Sequence, residues 1–426
     1  MNTNNLQTAL SKWLMPIANK VEQQKHLQAI KDGMIAIIPI IILGSICILP
    51  IAIANLLGSG TIYDLITNNI DILTYPDKFT NGLLSIYAAF FIADSLGKRY
   101  ELKASQLGII AIIVHLILSG LILENGVGTS YLGAEGLFTS IISAILTVEV
   151  TRFMVTKNMV IKLPSSVPVM VGESFTSLLP LLVNAIIATI IVAITKGISG
   201  KVFPEFLMSI LAPAISTMDT LPAVIIVMLL TQLLWFFGLH GPAITSAVWA
   251  PFAIQYAAEN ISAYTSGQPV THFFTFGLYY NILQVSGSGL TIGLVLLMMK
   301  SKASSLSAVG KVGIIPSLFG INEPIIFGAP IILNPFMFIP FVFGPLVITV
   351  ITYFAMITGM VSMPIANPPG FLPPGVGAFL MTLDWKSVVL VFVNIIIMTI
   401  IYYPFFKAME SDELKKEQDY SKVENV

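Results

Sequence analysis

Long apolar segments separated by short polar loops run from about residue 33 to about residue 408 of the chain. Each is about 20 residues long, the length that an α-helix needs to cross the hydrocarbon core of a bilayer. The alternation of apolar and polar residues over about ten positions, typical of strands in membrane barrels, is not found. Because unpaired backbone groups are costly in lipid, the pattern predicts an all-α membrane protein.

The apolar pattern predicts ten membrane crossings, with bounds accurate to a few residues. These spans lie at about residues 33–56, 82–98, 105–123, 137–156, 174–196, 222–240, 241–258, 273–299, 336–360 and 387–408. Lys and Arg are concentrated near the N-terminus and in residues 98–103, 152–162, 300–311 and 407–422. Since basic short loops mark the cytoplasmic side, we expect both termini in the cytoplasm.

Two basic residues, Lys196 and Lys201, fall on the opposite side in this topology. We therefore expect residues 202–215 to form an amphipathic segment that lies in the membrane interface.

Three breaks interrupt the apolar pattern in the second half of the chain. Residues 313–335 and 364–378 are apolar but rich in Gly and Pro, and such backbone is tolerated at membrane depth only where protein or a watery cavity satisfies it. We expect two re-entrant segments lining a cavity. The third break is Gly-Leu-His-Gly-Pro at residues 238–242. Residues 1–200 are then expected to form a scaffold, residues 201–410 the substrate-binding half and residues 411–426 a polar cytoplasmic tail.

Composition excludes several classes of function. Hydrophobic residues make up 56% of the 426-residue chain and charged residues 10%, against roughly 25% charged in soluble domains. The net charge of −1 and the scattered basic residues argue against nucleic-acid binding. The four His residues and the single Cys show no metal-ligand spacing, and no nucleotide-binding loop is present. We interpret the Ser-Gly-Ser-Gly tract at 286–289 as close helix packing, and expect no metal, no cofactor and no ATP-driven pump.

Glu323 is the main candidate for chemistry. It follows Asn322 in an apolar stretch and precedes Pro324, which biases it away from the α conformation. A carboxylate at the bilayer midplane costs about 2.5–3.5 kcal/mol on insertion scales, so an intramembrane Glu is a functional candidate by default. The alternative is a structural carboxylate that neighbouring backbone amides satisfy.

His240 lies in the third break, between Gly238 and Gly241, with Trp235 five residues before it. A lone buried His is usually a structural residue, but adjacent glycines allow a ligand to approach closely. A carboxylate, an imidazole and an aromatic face suit a sugar, and they suit a proton relay equally well.

Other intramembrane polar residues carry weaker signals. Asp94 and His115 are expected to be packing residues, while Glu149 and Arg152, three apart on one helix, are expected to form an ion pair. Glu173 at the start of the fifth span suits either a structural or a functional role.

The tracts GINEPIIFG at 320–328 and GLHG at 238–241 resemble those of the membrane-embedded IIC subunits of the bacterial sugar phosphotransferase system. The lactose, cellobiose and chitobiose branch is the most similar, over nearly the whole chain. The resemblance implies a homodimer in the bacterial cytoplasmic membrane, with the interface in its first half and one sugar per protomer in its second half. It also implies a separate IIB protein that donates phosphate from a phosphocysteine, with IIA upstream of it.

The resemblance also implies which residues bind the sugar. Glu323 and His240 would lie near the hydroxyl that is phosphorylated, and Trp235 would be a sugar-facing aromatic beside them. The remaining candidates match the family's pattern less closely and are Asn322, Asn81, Gly82, Asn184, Phe371 and Trp385. Relatives often carry a Trp where this chain has Phe371, which leaves the exact disaccharide open.

The sequence therefore predicts a permease that moves a disaccharide such as cellobiose or chitobiose inward and presents its 6-hydroxyl to phosphorylated IIB. One alternative is a proton-coupled secondary sugar transporter in which Glu323 and His240 carry protons. Another is a membrane receptor that binds a ligand without transporting it.

Overall fold

The structure is a computed structural model that describes residue 16 and residues 20–123, 126–161, 169–329 and 331–424. The described residues are mainly helical, as the apolar pattern predicts. The sheet seen among them is a short antiparallel hairpin in which Leu121–Leu123 pairs with Gly126–Gly128.

The Cα positions divide the chain into two compact units. The N-terminal unit comprises Val21–Ser216 and Ala250–Thr265. The C-terminal unit comprises Thr217–Trp249 and the described residues from Ser266 onward. The chain therefore passes from the N-terminal to the C-terminal unit near residue 217. It returns once to the N-terminal unit, for the second part of the helix Gly241–Thr265.

The N-terminal unit is a bundle of helices. Its helices are Lys25–Ala36, Ile38–Leu57, Thr61–Asn68, Ile70–Leu73, Tyr75–Phe79, Leu84–Arg99, Ala104–Ser119, Leu137–Thr156, Val169–Ser199 and Phe203–Met218. The helix predicted at 137–156 coincides with the observed one. The interfacial segment predicted at 202–215 corresponds to the helix Phe203–Met218.

Glycines allow these helices to approach closely. A Cβ atom on Gly33 would lie 2.4 Å from a side-chain carbon of Ile92, and one on Gly108 would lie 2.5 Å from the ring of Phe90. Ile92 itself is fully buried. Small residues at helix interfaces supply van der Waals packing in membranes, where lipid is as apolar as the side chains.

Polar residues inside this unit pair with one another. The ring of His115 is buried, with Nε2 2.7 Å from Oγ of Ser85, so the expected packing role fits its surroundings. Arg152 donates to Glu149 over 3.2 Å, which confirms the predicted ion pair. Asp94 pairs with Lys98. The side chain of Glu173 lies outside the described part of the structure.

The C-terminal unit contains shorter and more interrupted helices. They are Leu221–Phe236, Gly241–Thr265 as far as Trp249, Phe276–Leu278, Ile292–Met299, Ser304–Leu318, Glu323–Gly328, Pro335–Ile357, Val376–Thr382 and Trp385–Glu424.

The segment predicted as one helical span at 273–299 is not a continuous helix. The π-helical segment Tyr279–Leu283 is followed by irregular backbone that continues to Thr291. Ser286, Gly287 and Leu290 have φ of +63°, +91° and +49°, values that a helix does not contain. The Ser-Gly-Ser-Gly tract is thus a turn and not part of a helix, but it packs closely on a helix as expected: a Cβ on Gly289 would lie 2.6 Å from the ring of Phe341.

Six helical stretches of the described residues are long and apolar enough to cross a membrane. They are Lys25–Gly44, Ile70–Arg99, Ala134–Thr156, Phe175–Ser199, Pro335–Ile357 and Trp385–Asp419. The helices Phe203–Met218 and Leu221–Phe236 are apolar enough to count together as one further span, and Ala104–Ser119 is a shorter apolar helix.

The polar tail continues the last helix as far as Glu424 and packs on the loop at 300–305. Glu410 is buried, and its Oε1 accepts hydrogen bonds from Oγ of Ser301 (2.7 Å) and the backbone N–H of Lys302 (2.8 Å). Its Oε2 lies 2.6 Å from Nζ of Lys407. Glu417 accepts from the backbone N–H groups of Ser304 and Ser305, at the start of the helix Ser304–Leu318.

Replacing Glu410 by Ala is expected to destabilise the folded protein by about 1–3 kcal/mol, because the hydroxyl of Ser301 and the N–H of Lys302 both lose the buried carboxylate that accepts from them. Glu410→Gln keeps an oxygen at that position, so it should cost less. Thermal unfolding of the purified protein in detergent measures both variants. Equal melting temperatures for Glu410→Ala and the unmodified protein would contradict the role of this carboxylate.

Candidate functional site

The third break, at 238–242, is held beside the segment that follows Glu323. Phe236 ends its helix, and Gly238 reverses the chain with φ of +82°. The backbone N–H of Leu333 donates to the carbonyl of Phe236 over 3.0 Å. A Cβ on Gly241 would lie 2.1 Å from the carbonyl oxygen of Thr231, so only glycine allows this close return.

Glu323 begins the short helix Glu323–Gly328, with Pro324 in its first turn. The expectation that Pro324 keeps Glu323 out of the helical conformation is therefore wrong. The side chain is 43% exposed, and its Oε1 lies 3.8 Å from Nε2 of His240. Oε2 is buried and has no hydrogen-bond partner among the described residues. The carboxylate thus faces the imidazole at a distance too long for a direct hydrogen bond.

A backbone hydrogen bond assigns the tautomer of His240. Its Nδ1 accepts from the N–H of Ala243 over 3.1 Å and so caps the helix that begins at Gly241. An accepting Nδ1 carries no proton, so the neutral ring carries its proton on Nε2, which faces Glu323. The pair therefore presents one acceptor and one donor to the same space.

Aromatic rings border this pair. The ring of Trp235 is 3% exposed and lies 4.6 Å from the ring of His240, centroid to centroid. Phe327 lies 6.2 Å from Trp235 and is 62% exposed. Phe327 was not among the expected residues, although its position one helical turn after Glu323 was a usable signal.

Asn322 supports Glu323 from behind. The residue is buried, and its Nδ2 donates to the carbonyl of Ser288 (2.6 Å) and to Oγ1 of Thr291 (3.0 Å). A Cβ on Gly287 would lie 2.4 Å from Cγ of Asn322. These contacts attach the Asn-Glu-Pro tract to the turn at 286–291, so the amide of Asn322 positions its neighbour.

The Pro-rich stretch brings Phe371 to the start of this tract. A Cβ on Gly320 would lie 3.5 Å from Cδ1 of Phe371, whose ring is 6.3 Å from that of Tyr280 and 61% exposed. Trp385 is also exposed, at the first position of the last helix, and the described residues show no contact between it and Glu323 or His240.

The other three candidates belong to the N-terminal unit, and the hydrogen bonds of Asn81 and Asn184 are made within that unit. Nδ2 of Asn81 donates to Asp77 over 2.7 Å, and Gly82 follows in the same short 3₁₀ turn. Nδ2 of Asn184 is buried and donates to the carbonyl of Pro180 over 2.9 Å and to a neighbouring hydroxyl. Their part in sugar binding stays a prediction.

Comparison with known proteins identifies the family. A family model described as phosphotransferase system, EIIC matches residues 31–345. The chain belongs to this family. It is therefore a IIC sugar permease, a multi-pass protein of the bacterial cytoplasmic membrane that works with IIA and IIB partners.

Similar proteins match over almost their whole length. The oligo-beta-mannoside-specific EIIC component of Bacillus subtilis is 32% identical, and the match covers 98% of this chain and 97% of that protein. The cellobiose-specific EIIC component of Geobacillus stearothermophilus is also 32% identical, with 95% and 94% covered. The crystal structure of ChbC, the IIC component of an N,N'-diacetylchitobiose-specific system, gives a TM-score of 0.88 at 30% identity and covers 96% and 99%.

Proposed function

We propose that this IIC permease transports a disaccharide of the cellobiose or diacetylchitobiose type and holds its 6-hydroxyl between Glu323 and His240 for phosphorylation by IIB. The facing pair of side chains carries this proposal. Relatives named for cellobiose, diacetylchitobiose and oligo-β-mannoside support the class of sugar.

The spacing of the pair suits one hydroxyl group. Oε1 of Glu323 and Nε2 of His240 are 3.8 Å apart, so one oxygen atom can lie about 2.8 Å from both. Such a hydroxyl donates to the carboxylate and accepts from the imidazole N–H. Two hydrogen bonds fix its orientation, and the exposed rings of Phe327 and Phe371 offer apolar faces to the CH groups of the sugar rings, while the buried Trp235 packs behind the ring of His240.

The chemical step follows from this orientation. The hydroxyl oxygen attacks the phosphorus of the phosphocysteine of IIB, so a P–O bond forms as the P–S bond breaks. The hydroxyl proton leaves to Glu323, and the thiolate of IIB departs. Because phosphoryl transfer passes through a loose transition state that demands little base catalysis, the main contribution of the pair is positioning.

We also propose the finer topology: ten crossings, two re-entrant segments at 313–335 and 364–378, and both termini in the cytoplasm. The approach of Phe371 to Gly320, which brings the tips of the two segments together, supports this arrangement. Labelling of single cysteines from either side of the membrane tests it. Both ends of each re-entrant segment should be labelled from one and the same side.

The homodimer is a proposal as well, with its interface in residues 1–200 and its sugar sites in residues 201–410. Cross-linking of single cysteines in membranes tests it. Cross-linked pairs found only in the second half would contradict this division of roles.

Uptake into vesicles separates the proposed function from its alternatives. Sugar should accumulate as its phosphate, and only when phosphorylated IIB is supplied on the cytoplasmic side. Accumulation of unmodified sugar driven by a proton gradient would identify a secondary transporter, and saturable binding without flux would identify a receptor. Competition by a panel of disaccharides then identifies the substrate.

His240→Asn is expected to weaken sugar binding by about tenfold while leaving thermal stability nearly unchanged. Asn is a good N-cap, so its oxygen replaces Nδ1 as the acceptor for Ala243, but the donor toward Glu323 is lost. His240→Ala loses both and should also cost about 1 kcal/mol of stability. Calorimetric titration and thermal unfolding measure the two effects, and equal sugar affinity in all three proteins would contradict the donor role.

A further inference from the structure

Three buried polar groups near His240 in the C-terminal unit have hydrogen-bonding atoms that find no partner in the described part of the protein. Gln232 is completely buried, and neither its Nε2 nor its Oε1 has a partner among the described residues. The same holds for Nε1 of Trp235 and for Oε1 of Gln284, both on residues that are 3% exposed. Buried polar groups of proteins are nearly always satisfied, by protein or by ordered water.

The backbone places these groups along one side of the helix Leu221–Phe236. Met228, Gln232 and Trp235 are spaced four and three residues apart, so they share a helix face. Nε2 of Gln284 lies 3.6 Å from Sδ of Met228, a weak acceptor, which brings Gln284 to the same face. Gln232 therefore lies between the contact with Gln284 and the indole of Trp235.

The segment that carries Gln284 is itself irregular. The π-helical residues Tyr279–Leu283 come directly before it, and the turn that binds Asn322 comes directly after it. π-Helical turns are found frequently at functional sites. The amide of Gln284 lies at the end of this π-helical segment, and the residue is 3% exposed.

We propose that Gln232, Gln284 and the indole N–H of Trp235 bind ordered water molecules, and that this water fixes the indole against the ring of His240, which faces the sugar. An indole N–H is only a donor, so it needs an acceptor, and a water molecule held by the amide of Gln232 supplies one. A water site requires two to four polar partners, and the three side chains provide four polar atoms. Gln232 is then a positioning residue that acts on the sugar through Trp235.

Burial in a membrane protein strengthens the argument. Lipid offers no substitute partner, and leaving a polar amide unsatisfied costs several kcal/mol in such surroundings. Bound water removes that cost without a second protein group. Leaving these three polar groups without water is therefore less favourable than binding it.

The indole resonances of protein labelled with ¹⁵N-Trp test the water site directly. Trp249 serves as an internal reference, because its Nε1 donates to Oγ1 of Thr245 over 3.3 Å. In the unmodified protein the resonance of Trp235 should lie in the hydrogen-bonded range, like that of Trp249. In Gln232→Leu the resonance of Trp235 should move upfield while that of Trp249 stays in place. An unchanged Trp235 resonance would overturn the proposal.

Gln255→Leu is the matched control. Gln255 is a fully buried amide on the part of the helix Gly241–Thr265 that belongs to the N-terminal unit, and it donates to Glu259 over 2.6 Å. This variant should leave the Trp235 resonance and sugar binding unchanged. Gln232→Leu should lower sugar affinity about tenfold, the equivalent of about one hydrogen bond.

If Gln232→Leu does not fold, a structure of the unmodified protein that resolves ordered water tests the proposal instead. Density within hydrogen-bond distance of Gln232 and of Nε1 of Trp235 supports the proposal, and a dry cavity overturns it. The effect on sugar affinity rests on the proposed function, whereas the resonance and the density do not. Failure of sugar binding in the unmodified protein would therefore count against the proposed function alone.

Discussion

Glu323→Gln is expected to lower phosphorylation of the sugar by about 100-fold, or about 3 kcal/mol. The change keeps the size of the side chain but removes the charge, and hydrogen bonds to charged groups are worth about 1.5–3 kcal/mol. The amide also presents an NH₂ group that cannot accept from the sugar hydroxyl. Transfer from phosphorylated IIB to labelled disaccharide in reconstituted vesicles measures the effect, and calorimetry measures sugar affinity.

Glu205→Gln is the control for this prediction. Glu205 is an exposed carboxylate of the N-terminal unit that lies 3.6 Å from Nζ of Lys201, and its neutralisation should leave both transfer and affinity unchanged. If Glu323→Gln matched the unmodified protein in affinity and in transfer, Glu323 would not be the group that holds the hydroxyl.

Gly287→Ala is expected to abolish sugar binding and to destabilise the protein by about 2–4 kcal/mol. The new Cβ would lie 2.4 Å from Cγ and 2.8 Å from Cβ of Asn322, and Gly287 has a φ of +91° that other residues adopt only with strain. Asn322 would have to leave Ser288 and Thr291, and Glu323 would move with it.

Gly267→Ala separates the clash from the backbone strain. Gly267 also has a positive φ, of +66°, but no atom lies within 4 Å of its Cβ position. This control should cost about 1 kcal/mol and leave sugar binding intact. Thermal unfolding and sugar titration compare the two variants. Equal losses in both would show that the contact with Asn322 does not matter.

The apolar pattern predicted the helices because a segment of about 20 apolar residues has few other stable conformations in lipid. The predicted spans at 137–156 and 336–360 correspond to the helices Leu137–Thr156 and Pro335–Ile357. The break inside 273–299 was missed, since Ser286 and Leu290 adopt positive φ although neither residue type indicates it.

Residue chemistry alone was sufficient to identify Glu323 and His240 as candidates. A carboxylate in an apolar run is costly, and glycines on both sides of a His suggest close approach. The same chemistry did not show that the amide of Asn322 is bound to the turn at 286–291. Its amide is directed by contacts with Ser288 and Thr291, which lie about 30 residues earlier in the chain.

The sequence by itself determined that this protein is a helical membrane permease of the IIC family, because apolar length and the Asn-Glu-Pro and Gly-Leu-His-Gly tracts are local properties of the chain. Only the tertiary structure decided which polar groups meet. The 3.8 Å between Glu323 and His240 and the approach of Phe371 to Gly320 both join segments distant in the chain. Side-chain packing sets such distances, and local residue patterns do not encode it.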